Sequence, residues 1–147
     1  LGQVQCTRIE EPMKGGKSIP ALFIPAQGLK PGEKAPCMVH FDGLDVNKEI
    51  VTLLGIPQAL ARRGVSTLVV DNPGVGESLR LRGLHNGPEA EVPAGACVDL
   101  LEKRAVATPG ALYFNWMYPA GDSQNPIAVE QGFLLLGQAP DIRLHPN

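Results

Sequence analysis

The sequence predicts an α/β layer fold, a partial doubly wound sheet with helices on both faces, and three observations carry that prediction. Residues 66–70 (STLVV) form an uninterrupted β-branched and apolar run, suited to a strand in the middle of a parallel sheet covered on both sides. Two earlier short apolar runs, 19–24 (IPALFI) and 37–41 (CMVHF), stop at Pro25 and at Asp42-Gly43, as strands do. A helical pattern separates the second run from STLVV. The order strand, strand, helix, strand, loop, helix is that of alternating layers.

Taken in order, residues 1–18 are polar, lack periodicity and end in Lys14-Gly15-Gly16-Lys17-Ser18. After the first strand, residues 27–34 (QGLKPGEK) are turn chemistry around Pro31-Gly32. From 47 to 63 the spacing is helical, with Ile50, Leu53, Leu54, Leu60 and Ala61 on one apolar stripe. Asn47 is placed to cap it, Glu49 lies in its first turn, and Arg62-Arg63-Gly64 ends it with cations and a glycine. Pro57 is incompatible with a continuous helix, so a break is expected near Gly55. The STLVV strand stops at Asp71-Asn72-Pro73-Gly74, and residues 79–92 read as loop. A second helix over 93–104 has Pro93 in its first turn and turns Ala96, Cys97, Leu100 and Leu101 inward.

Beyond Arg104 the character changes. Pro109, Pro119, Pro126, Pro140 and Pro146 punctuate a stretch with the only Trp and both Tyr, and no helical or strand period persists. The expected division is therefore 1–104, the patterned part, and 105–147, a divergent and irregular tail. No internal repeat is present.

Composition excludes several classes. At 147 residues the chain allows one modest domain, and a net charge of -2 provides no broad basic surface for nucleic acid or anionic membrane. Hydrophobic residues at 44% and charged ones at 19% are those of a globular chain, and no apolar run nears the roughly 18 residues that span a bilayer. Cys6, Cys37 and Cys97 are odd in number and form no CxxC pair, which argues against a disulfide framework or zinc site and suits a reducing, cytoplasmic setting. The chain starts at Leu1 without a targeting pattern and reads as a piece of something longer.

Three clusters hold residues with chemical potential. Residues 40–49 run from a strand end through Gly43 into a helix, where backbone N–H groups just after the glycine can point outward together and stabilise a developing oxyanion. The plainer reading has Gly43 permitting a tight turn and Asp45 capping a helix. Residues 71–78 (DNPGVGES) follow the buried strand, where α/β sheets gather ligand-binding groups. A nucleotide-binding reading of this loop fails in detail. Gly16-Lys17-Ser18 lacks the upstream glycine of a phosphate loop, since Glu11 stands there, and Ser18 leads into a strand. Gly121-Asp122-Ser123 superficially matches the nucleophile block of small esterases, yet it lies among prolines near the end, and Ser123 reads as a turn residue.

Together, CMVHFDGLDVNKE (37–49), ARRGVSTLVVDNPGVGES (61–78) and ACVDLLEKR (96–104) resemble the α/β-hydrolase superfamily over residues 19–104. The nearest resemblance is to the group of FrsA-like esterases, dihydroxypseudooxynicotine hydrolases and fungal hydrolases that shorten polyketides in pigment pathways. The resemblance implies an oxyanion-hole turn in the first segment, with Gly43 and Leu44 near the donors. It implies a strand and loop flanking the active site in the second, and the helix before the nucleophile strand in the third. The implied chemistry is serine-dependent hydrolysis of an ester, or of an activated carbon–carbon bond next to a carbonyl, in a small-molecule or polyketide-like substrate without metal or organic cofactor. Asp71 is expected to hold the 73–78 loop through hydrogen bonds to its backbone, and Ser78 to be a loop residue rather than a nucleophile.

The family pattern then breaks. A G-x-S-x-G elbow should follow, yet Ser18, Ser66, Ser78 and Ser123 are all the serines and none sits in one. No triad pattern surrounds His40, His85 or His145. The chain thus reads as a fragment, or a divergent member, expected to be inactive alone. The alternative is a non-catalytic binding or regulatory protein on the same scaffold.

Overall fold

The computed structural model describes residues 7–12, 17–41, 43, 46–87, 91–104, 107–120 and 128–136, with side chains over 17–41, 43, 46–87 and 92–104. In chain order the elements are β1 (Thr7–Pro12), β2 (Ser18–Ile24), β3 (Ala35–Phe41), α1 (Lys48–Leu53), α2 (Ile56–Ala61), β4 (Ser66–Val70), α3 (Gly76–Arg80), α4 (Glu91–Lys103), β5 (Ala107–Ala120) and β6 (Ala128–Leu136). The strands form one sheet in the order β1-β2-β4-β3-β5-β6. β3 runs parallel to β4, with Cys37 opposite Ser66 and Phe41 opposite Val70. β2 joins the other side of β4 antiparallel, with Ala21 opposite Val70.

All five residues of β4 are buried, because helices cover both faces of the sheet around it. Alternate residues of each strand feed different cores. On one face Ile19, Ala21, Cys37, Val39, Phe41, Leu68 and Val70 pack with Cys97, Leu100 and Leu101 of α4. On the other, Ile24 and Val69 pack with Val51 of α1 and Ala61 of α2. The expected doubly wound arrangement is present, and of the inward set expected of the second helix Cys97, Leu100 and Leu101 lie in the core while Ala96 is half-buried. Burial also pushes the Cys37 thiol up to about 12, so it carries no thiolate at neutral pH.

Asn47 caps α1 as expected, its side chain accepting the Ile50 N–H at 2.9 Å. The predicted break falls at Gly55, whose φ of 81° supplies the left-handed turn that lets Pro57 enter the first turn of α2. The expected apolar stripe is corrected. Ala61 is buried as expected, but Leu53 and Leu54 are 85% and 68% exposed and Ile50 is exposed too, whereas Val51 and Pro57, outside the stripe, are buried. In α1 the buried residues are Lys48 and Val51, and helical spacing then turns Ile50 and Leu53 to the opposite side.

Three other expectations change. Residues 76–80, at the edge of the expected loop, form the short helix α3. Residues 7–12, read as unpatterned, pair antiparallel with β2. Residues 107–120 and 128–136, read as lacking any strand period, form β5, parallel to β3, and β6, antiparallel to β5. An open strand edge supplies backbone partners without side-chain alternation, and the aromatic residues at 113, 114, 116 and 118 favour extended backbone. Pro109 lies where the β3–β5 register shifts, between the Ala35–Ala107 and Cys37–Leu112 pairs, as a residue without an N–H requires.

Candidate functional site

Because Phe41 lies opposite Val70 in a parallel pair, the segments that follow β3 and β4 leave the sheet on the same rim. The chain after β3 crosses to the face covered by α1 and α2, and the chain after β4 leads to α4 on the opposite face. Two neighbouring strands whose continuations diverge in this way open a crevice at their carboxyl ends, where open α/β sheets bind ligands. Gly43 stands on that rim, its carbonyl accepting the Val46 N–H at 3.3 Å. Asp42, Leu44 and Asp45 lie outside the described residues, as do Gly121, Asp122, Ser123 and His145.

The rim is organised by Asp71, which is completely buried. Its Oδ1 accepts the Lys48 backbone N–H at 2.8 Å. Its Oδ2 accepts from Lys48 Nζ at 2.8 Å and from the Glu77 backbone N–H at 2.9 Å. The Ser78 hydroxyl donates to the Asp71 carbonyl at 2.6 Å. The expected role of Asp71 in holding this loop is therefore present, and it extends to the start of α1. Gly76 is what lets the loop wrap the carboxylate. Its φ is +47°, and a Cβ there would stand 2.5 Å from Asp71 Oδ2.

Lys48, itself only 1% exposed, places its ammonium 2.8 Å from Asp71, 3.1 Å from Glu77 and 2.8 Å from Glu49. Glu77 also accepts from Arg82 Nη2 at 3.0 Å, and Arg82 donates onward to the Ser18 carbonyl and hydroxyl. A continuous polar chain thus crosses the rim from β2 to α1. A cation at a helix N-terminus opposes the helix dipole, and a buried charge is tolerated only when paired. Burial works against the Lys48 ammonium, but its hydrogen bonds to Asp71, Glu49 and Glu77 outweigh that penalty and hold its pKa above the ordinary 10.5.

Sequence reasoning missed Lys48, Glu77 and Arg82, because each reads locally as a solvated surface charge. Ser78 is not a loop residue but lies in α3, buried and engaged with Asp71. Ser66 is buried and accepts the Ala26 N–H at 3.0 Å, and Ser18 is bound by Arg82. His40 is buried on β3 and His85 is exposed. Among the described residues no group of His, Cys, Asp or Glu is arranged to hold a metal ion, and no helix is long and apolar enough to cross a membrane.

Two outcomes follow from this geometry. Gly76→Ala is expected to lose about 2–4 kcal/mol in urea denaturation, from left-handed backbone strain plus displacement of the Asp71 carboxylate. Gly64→Ala, at a φ of +80° but with open space around it, loses only about 1–2 kcal/mol. Equal losses would show that contact with Asp71 does not constrain Gly76. Lys48→Met leaves the buried Asp71 carboxylate without its cation and is expected to cost about 3–5 kcal/mol at neutral pH. With a folded-state pKa above its unfolded value, Lys48 contributes fully below about pH 10.5, and the contribution is lost as pH rises through the folded-state pKa. The stability gap between wild type and Lys48→Met should therefore narrow above pH 10.5; a gap that widens there contradicts the assignment.

No family model matches the chain. Hydrolase pyiE of Pyricularia grisea is 34% identical over 99 residues, covering 65% of this chain and 21% of that protein. Hydrolase ORFZ of Pyricularia oryzae is 30% identical over 99 residues, covering 67% of this chain and 23% of that protein. The chain thus spans about a fifth of the length of these curated relatives. Among solved structures, 2,6-dihydroxy-pseudo-oxynicotine hydrolase superposes with a TM-score of 0.63 at 25% identity, over 74% of this chain and 29% of that one. Est1E from Butyrivibrio proteoclasticus, solved with ferulic acid, superposes with a TM-score of 0.59 at 20% identity, over 74% of this chain and 41% of that one, and shares the fold. With the parallel β3–β4 pair and the sheet order, these likenesses show that the chain has part of an α/β-hydrolase core fold, in keeping with the resemblance of the motif segments of residues 19–104.

Proposed function

We propose that this chain provides the oxyanion side of a serine-hydrolase active site acting on a small-molecule ester, or on an activated carbon–carbon bond beside a carbonyl. The observation that carries the reading is the parallel β3–β4 register, which sets the Gly43 segment and the Asp71 loop side by side at one rim. In that chemistry a serine oxygen attacks the carbonyl carbon, and the electron pair of the C=O bond moves onto oxygen. Backbone N–H groups at Gly43 and Leu44 are the donors that meet this charge, each worth about 3–4 kcal/mol of barrier in comparable sites. Such donors act only when held before the charge develops, and the buried carboxylate of Asp71, bonded to both the α1 start and the β4 loop, supplies that rigidity. The curated relatives are named as hydrolases, which agrees with this class of reaction.

The nucleophile is a different matter. No G-x-S-x-G occurs in the chain, Ser66 and Ser78 are buried, and Cys37 is held as a neutral thiol. The 147-residue chain by itself is accordingly expected to show no serine-dependent turnover of a nitrophenyl ester. Loss of robust turnover on Ser78→Ala or Ser123→Ala would contradict that expectation. The decisive experiment joins a segment carrying G-x-S-x-G, the acid and the histidine of a relative after Arg104. Turnover in that chimera supports the proposal. A folded chimera without turnover counts against it and favours a non-catalytic binding role on the same scaffold.

A further inference from the structure

We infer that the buried ammonium of Lys48 is a positioning residue for the turn that carries Gly43, locking the start of α1 to the β4 loop and to α3. The inference rests on the reading of that turn as the oxyanion side of a hydrolase site, and it names the group that sets the turn's place.

Asp71 already has two backbone donors, the N–H groups of Lys48 and Glu77, and these alone tie the β4 loop to both helix starts. The ammonium adds something the carboxylate lacks. Lysine carries three N–H donors on one tetrahedral nitrogen, and here three carboxylates, Asp71, Glu77 and Glu49, lie within 3.1 Å of it. It therefore joins α1, the β4 loop and α3 at one point. A neutral side chain of equal length fills the space but binds neither Asp71 nor Glu77, and the carboxylates then repel one another at the rim.

From this junction a short bonded path leads to Gly43. Lys48 follows Asn47, whose side chain and carbonyl accept the N–H groups of Ile50 at 2.9 Å and Val51 at 3.2 Å. Asn47 follows Val46, whose N–H holds the Gly43 carbonyl at 3.3 Å. The Gly43 carbonyl is thus linked through two residues to a cross-linked helix start. Displacing that start by a fraction of an ångström moves the turn, and oxyanion donors lose their value when misplaced on this scale. Glu77 is pinned from its far side by Arg82, so the junction is braced against β2 as well.

The test is carbon-detected NMR on the 147-residue chain, following the Gly43 carbonyl and Lys48 Cε from neutral pH to beyond loss of the Lys48 proton. The expected result is a Gly43 carbonyl shift that moves with the same midpoint as Lys48 Cε, above pH 10.5, while Gly28 and Gly32 in the β2–β3 connection stay still. In Lys48→Met the Gly43 signal is displaced at neutral pH and no longer titrates. In Glu77→Gln, which leaves the Lys48–Asp71 bond in place, it is displaced less. A wild-type Gly43 signal that stays fixed while Lys48 Cε titrates overturns the inference, whether or not Lys48→Met folds. The readout needs no catalysis. Co-titration together with an inactive chimera leaves the positioning role standing and removes the hydrolase reading, whereas an active chimera with an indifferent Gly43 does the reverse.

Discussion

The Lys48–Asp71 contact is the constraint on which the candidate site depends. Asp71 lies just past the last residue of the most buried strand, so its carboxylate has no solvent to satisfy it. Protein groups must do so, and the available ones are the N–H groups that open α1 and α3, together with one ammonium. Meeting that demand brings into contact two segments 23 residues apart in the chain. Isolated buried ion pairs contribute little net stability, because desolvation offsets attraction. The contribution of this one is geometric: it ties the α1 start to the β4 loop, and without Lys48 the buried Asp71 carboxylate keeps only its two backbone donors.

The sheet determines where that contact can form. β3 and β4 are parallel and in register, so both of their outgoing segments start at the same height. The helices that follow them go to opposite faces, each packed against its own core. Antiparallel β2 closes the other side of β4, and its first residue, Ser18, anchors the outer end of the polar chain through Arg82. Gly76 completes the arrangement, since any side chain at that position would occupy the volume of the Asp71 carboxylate.

Much of this was legible in the sequence, and the legible parts share one physical property: they follow from local patterns. Strands β2, β3 and β4 come from short apolar runs between turn residues. The cap at Asn47, the break at Gly55 and the inward residues of α4 come from backbone rules that act within a few positions. Asp71 as the holder of its own loop was readable for the same reason. The motif segments around Gly43, Asp71 and Cys97 carried the resemblance to the superfamily, which the fold bears out.

What only the tertiary structure decided is non-local. The stripe of Ile50, Leu53 and Leu54 is apolar and helical in spacing, yet which side of a broken helix faces the sheet depends on the sheet. The pairing of 107–120 with β3 depends on an open strand edge rather than on any period within 107–120. Lys48, Glu77 and Arg82 are surface residues by composition and become a partly buried network, with Lys48 fully enclosed, because β3 and β4 lie parallel and adjacent. Sequence patterns determined the elements because hydrophobic periodicity and backbone chemistry act over a few residues. The tertiary structure decided the charge network because desolvation and ion pairing depend on what surrounds a group in space, and its partners come from distant parts of the chain.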